Sequence, residues 1–300
     1  MAAEVKVSDV VAQLRTASGD SWRDETWDGI QAGSLDSPVK GIVVTWTPDL
    51  AVLRKAVAGG SNLILCKDPL YWYEQEGKWP SVDSSSSRIQ EGAAGPGHWD
   101  PVTQTQAYKV KKQFIDSNNL TIYRMSANWD GPSSRSTEGL LKALGWKADE
   151  MFVADPRFPS TKTAIVTVPE QSLIDLGKYA KQRVGGNSAR LMGERSARVR
   201  RVAVHPGYIT IQAAVKITQT PHLDAVVTGE GCEWEALPCT EDWVTAGHGK
   251  GFLMLGLAAV SDTGARQVAA WVKTSVPSAK VEFMADGDPF TPVYAGELRA

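Results

Sequence analysis

The chain has 300 residues, with 32 Lys and Arg against 34 Asp and Glu, a formal net charge of −2 and a hydrophobic fraction of 42%. That hydrophobic content excludes a disordered chain, and the length suits two domains or one large one. The near-neutral balance argues against a dedicated nucleic-acid binder, and no apolar run nears the roughly 18 residues that a membrane span needs.

Taken in chain order, the apolar residues Val7, Val10, Val11 and Leu14 are spaced for one helix face. Residues 40–46 read as a buried strand, with Thr47 as the expected helix cap and Pro48 at the first helical position. That helix stops at Gly59-Gly60, and Asn62–Cys66 is the next strand, so the two strands are expected to run parallel. Residues 74–100, with four consecutive serines and Gly95-Pro96-Gly97, read as a long surface loop. Gln104–Ser117 predicts a helix, Leu120–Arg124 a strand, Thr137–Gly145 a helix, Ala164–Val168 a strand and Ser172–Gly185 a helix. Arg198–Val204 and Ala225–Thr228 are strands, with Thr210–Ile217 helix or strand between them. Trp243–Thr245 is strand-like, Gly251–Ser261 and Thr263–Val276 predict two helices, and Lys280–Phe283 is the last strand. Strands alternating with helices make the fold class α/β.

Cys66, Cys232 and Cys239 are too few for a disulfide scaffold, and their spacing matches no zinc ribbon. The chain opens without a charged and apolar leader, which predicts a cytoplasmic protein; the alternative is an exported one whose signal peptide has been removed.

In α/β sheets ligands bind beyond the carboxyl ends of strands. On this reading Lys67 and Asp68, Asp130, and His248 emerge from separate strand ends, with Glu230, Glu233 and Glu235 as further charges. Oxygen and imidazole groups meeting there would suit a divalent ion, with Asp68, Asp130 and His248 as ligands. Each has a plainer reading: Asp68-Pro69 and Asp130-Gly131 as turns, His248 as a structural hydrogen-bonding group. His98, His205 and His222 read as structural or solvated. Of the 11 tryptophans, Trp46, Trp72, Trp129 and Trp234 lie in strand-end loops. There they either stack on a planar ligand or pack in the core, and in the first case loop 74–100 is a candidate lid.

These segments carry a resemblance. Trp27–Gly33, Thr47-Pro48-Asp49 followed by Ala56–Ile64, Asn128-Trp129-Asp130, Val227–Glu230, Ala246-Gly247-His248 and Gly287-Asp288-Pro289 occur in the order of the Nif-three-like family's signatures. That family is also described as domain of unknown function 34 or GTP cyclohydrolase 1 type 2. The resemblance implies two α/β lobes of mixed sheet flanked by helices, residues 1–125 with 246–300 and residues 126–245, with a metal-site cleft between them. It also implies a homo-oligomer, a hexamer, built around a dinuclear metal centre.

The departures bear on the chemistry. The family's His-His-Pro is Lys67-Asp68-Pro69 here, and Ser126 stands where an imidazole is expected. By resemblance Asp130 and His248 are retained, while the Glu expected four residues after the Gly-His pair is Phe252. A full two-ion centre is therefore not expected; what remains is one Zn, Mn or Fe ion, or none, with Lys67 as the local cation. Two functions stay open. One is a small-molecule or metal binding protein with an altered centre. The other is a metal-dependent hydrolase in which Glu230 or Glu233 moves the proton.

Overall fold

The computed structural model describes residues 4–24, 26–71 and 103–293. The chain divides into two compact units, Met1–Gly131 with Val268–Asp286 and Pro132–Gln267 with Gly287–Ala300.

The first unit is a five-stranded sheet: β1 (Gly29–Ala32), β2 (Ile42–Thr45), β3 (Leu63–Cys66), β4 (Thr121–Arg124) and β13 (Val281–Phe283), in the order β1-β4-β3-β2-β13. β4, β3, β2 and β13 are parallel, and only β1 runs against them. The strand–helix–strand unit over 40–66 is as expected, with α2 (Leu50–Ala58) as its crossover. Its cap lies two residues later than expected: Asp49, not Thr47, has the extended backbone of a cap (φ −70°, ψ 168°) and accepts the Val52 N–H at 2.6 Å. One face of the sheet, Val43, Ile64, Cys66 and Ile122, packs on Val52, Leu53 and Ala56 of α2 and on Ile115 of α3 (Gln106–Ser117). α1 (Val7–Ser18) buries Val7, Val10 and Leu14, the spacing read from the sequence.

The second unit holds β5 (Glu150–Val153), β6 (Lys162–Ser172), β7 (Arg190–Met192), β8 (Arg198–Val204), β10 (Ala225–Thr228) and β12 (Gly251–Met254), in the order β5-β6-β8-β10-β12-β7. β8, β10 and β12 are parallel; β6 and β7 run against them. One face packs Val166, Val202, Val227 and Leu253 on α4 (Arg135–Leu144) and α5 (Leu173–Val184). The other packs Ile165, Ala203, Val226 and Phe252 on α6 (Ile211–Thr218) and α7 (Ala236–Thr245). A two-stranded piece, β9 (Tyr208–Ile209) with β11 (Glu230–Gly231), follows the ends of β8 and β10.

Three expectations are corrected here. Trp243–Thr245 is the end of α7, not a strand. Residues 251–276 are not two helices but strand β12 and one 19-residue helix, α8 (Leu257–Ser275). β12 is an apolar run buried on both faces, which periodicity cannot tell from a buried helix. Because β12 pairs with β10, residues 246–267 go with the second unit rather than the first.

Candidate functional site

In the first unit the carboxyl ends of β2, β3 and β4 meet at one sheet edge. The Trp46 carbonyl accepts the N–H groups of both Lys67 and Asp68 at 3.1 Å, which turns the chain sharply after β3. Two buried cations, 5% and 3% exposed, hold the same turn from behind. Arg124, the last residue of β4, donates Nε to the Lys67 carbonyl at 3.2 Å. Lys111, from the inner face of α3, donates Nζ to the Leu70 carbonyl at 2.6 Å and lies 5.9 Å from the centre of the Tyr71 ring. Burial pulls the Lys111 ammonium down to about 8, while Cys66, wholly buried beside it, is pushed up to about 12 by burial and then by Asp68.

The loop after β4 is fixed by a residue from the start of the chain. The Asp28 carboxylate accepts the N–H groups of Ala127 at 2.8 Å and Asn128 at 3.0 Å, and the Asn128 Nδ2 at 2.9 Å. Asn128 in turn accepts the Arg23 N–H at 2.8 Å and donates to its carbonyl at 2.9 Å. Burial raises the Asp28 carboxyl, and these hydrogen bonds oppose the rise. The Trp-Asp segment and the Asn-Trp-Asp segment, about a hundred residues apart in sequence, are thus one hydrogen-bonded unit. It carries Asp130, itself buried, at its end.

Of the expected first-unit residues, Lys67 and Asp68 are half-buried at this edge and Trp46 is half-buried beside them. Trp129 is corrected: at 1% exposed it is a core side chain and offers no face for stacking. Trp72 and the proposed lid at 74–100 lie outside the described residues.

In the second unit, the carboxyl ends of β8 and β10 lead to His205 and to Gly229-Glu230. His205 is structural: its Nδ1 shares a hydrogen with the Thr163 hydroxyl at 2.8 Å, and its Nε2 lies 3.2 Å from the Tyr208 carbonyl. Glu230 and Glu233 are exposed, and Glu233 pairs with Arg190 of β7. Trp234 is 68% exposed.

His248 is corrected. It precedes β12 and therefore lies at the amino end of the parallel strands, opposite the end that bears Glu230. Its Gly-His-Gly context is turn chemistry: Gly247 has φ +75°, Gly249 sits against the Trp243 ring, and the N–H groups of His248 and Gly249 both bond the Trp243 carbonyl. The strand end that follows β12 is Leu255-Gly256-Leu257, with Ser261 four residues beyond Leu257. Phe252, at the position set against a glutamate, is 1% exposed in the core. Among the described residues, no three His, Cys, Asp or Glu side chains form a group able to hold a metal ion.

Arg124, Lys111 and Asp28 were not foreseen as site residues. Lys111 did leave a signal, a charge on the helix stripe shared with Tyr108 and Ile115. Asp28 lies in the Trp27–Gly33 signature segment, which does not reveal its partner, and Arg124 left no signal, since its partner is remote in sequence. No described helix is long and apolar enough to cross a membrane.

The Duf34/NIF3 (NGG1p interacting factor 3) family model matches residues 5–91. A GTP cyclohydrolase 1 type 2 homolog of Chlamydia pneumoniae is 32% identical over 69 residues, a match spanning 23% of this chain and 28% of that protein. A Bacillus cereus protein related to NIF3 superposes with a TM-score of 0.69 at 15% identity, covering 97% of this chain and 99% of its own. A hypothetical protein of Staphylococcus aureus gives 0.68 at 17% identity, with 97% and 100% covered. Over residues 5–91 the sequence is thus similar to the Duf34/NIF3 family, and the fold of the whole chain is the one seen in the Bacillus cereus protein related to NIF3.

Proposed function

We propose that this protein is a small-molecule binding protein in which fixed cations at the end of the first sheet take the place of a metal centre, and that its ligand is anionic. The observation that carries this reading is the pair of buried cations, Arg124 and Lys111, bonded to the carbonyls of Lys67 and Leu70. Lys67, half-buried, is the cation that a ligand can reach, and the two behind it hold its turn and add positive potential. A two-ion centre needs several carboxylate or imidazole donors for each ion. Asp68, at the turn held by Arg124 and Lys111 and next to Lys67, does not fit that requirement. Trp46 adds a planar surface for a base or sugar. The name of the curated relative, a GTP cyclohydrolase 1 type 2 homolog, makes GTP the first ligand to try.

The test is calorimetric titration of the wild type and Lys67→Ala with GTP and with inorganic pyrophosphate, beside elemental analysis after incubation with zinc, manganese and iron. Saturable anion binding, weakened about tenfold in Lys67→Ala and further by salt, is expected. About one ion per chain, lost in Asp130→Ala, with anion binding indifferent to Lys67, would overturn the reading in favour of a one-ion hydrolase.

A further inference from the structure

The second unit carries a groove that neither sheet edge uses. It lies between the end of β5 and the outward stripe of α6 and is a shallow groove, open to solvent, of about 500 Å³. Its apolar wall is Val153, Ala154, Pro156, Ile211 and Val215. α6 turns Ala213, Ala214 and Ile217 into the core, which leaves Ile211 and Val215, one turn apart, on the groove side; Val215 is 41% exposed.

The polar lining is unequal in charge. It comprises Gln212, Lys216 and Gln219, with no acidic residue among them. Lys216 forms no ion pair among the described residues. Asp155, next to Pro156, is already neutralised: Arg157 holds its carboxylate at 2.7 Å and Thr210 donates to it at 2.7 Å. Arg157 also ties Gln212 at 2.6 Å, which fixes that side of the groove. An apolar trough with a single uncompensated ammonium at its rim is complementary to an apolar body with one negative head.

We propose that this groove binds a small amphiphile, an aliphatic chain ending in one carboxylate, laid along Ile211 and Val215 with its head group at Lys216. Octanoate, 1-octanol and octylammonium serve as probes, titrated by calorimetry into the wild type, Lys216→Glu and Val215→Asp. Both substituted positions are exposed, and thermal unfolding checks that each variant is folded. Octanoate is expected to bind saturably and more tightly than octanol, with affinity rising about twofold per methylene from hexanoate to decanoate, since the groove is open on one side. Lys216→Glu should weaken octanoate about fivefold and favour octylammonium by a similar factor. Val215→Asp should abolish binding of octanoate. A wild type that prefers octanol, or a head-group preference unmoved by Lys216→Glu, would overturn the proposal. So would a Val215→Asp variant that changes only the sedimentation of the protein, because the groove would then be covered by a second copy.

Discussion

The two sheets end their parallel strands in opposite ways. At the edge of the first, three charged groups are buried and committed: Asp28 to the backbone of 127–128, Arg124 and Lys111 to the carbonyls of 67 and 70. At the edge of the second, Glu230 and Glu233 stand in solvent, and the buried His205 is a hydrogen-bonded spacer between β6 and β9. A buried charge costs much when its partner is lost, whereas an exposed one costs little. The first edge is therefore built to hold one shape, whereas the second keeps its acids in solvent, Glu233 in an exposed ion pair with Arg190.

The largest test of that contrast is Asp28→Ala. It leaves three donors without their acceptor in a buried loop, and a loss of about 3 kcal/mol or more in denaturant unfolding is expected. Asp28→Asn, which keeps an acceptor oxygen, should lose less. If Asp28→Ala unfolds like the wild type, the clamp is not what holds the loop.

Lys111→Met is the next. Burial holds the folded-state ammonium near 8 against an ordinary 10.5, so between those values the unfolded chain binds more protons than the folded one. The wild type should therefore gain stability relative to Lys111→Met as pH rises from about 8 to 10.5. The pair is compared in a Cys66→Ala background, because Cys66, whose folded-state proton is held up to about 12, opposes the trend and interacts with Lys111. A difference that stays flat across that range would mean that Lys111 is solvated. The smallest effects belong to the second edge and its far end: Glu233→Ala and His248→Ala should each change stability by less than about 0.5 kcal/mol. A larger loss in Glu233→Ala would erase the contrast between the edges.

Much of the fold is legible along the chain. The parallel pairing of β2 with β3 follows from apolar runs, a cap and a Gly-Gly stop within 27 residues, all local signals. β12 was misread because a strand buried on both faces has no alternation to display. The error displaced His248: once residues 243–245 are helix and 251–254 strand, the Gly-His pair falls at the wrong end of the sheet for the role its spacing suggested. Trp129 was open to two readings for a similar reason, since a tryptophan after a strand has the same sequence context whether it points to ligand or core.

By itself, the amino-acid sequence determined the α/β class and carried the Nif-three-like resemblance, because periodicity and residue type are properties of the chain alone. Only the tertiary structure decided which charges share a sheet edge. Asp28 with Asn128, Arg124 with Lys67 and Lys111 with Leu70 are 100, 57 and 41 residues apart. What joins them is strand order and burial, and a buried polar group must find a partner wherever the packing brings one.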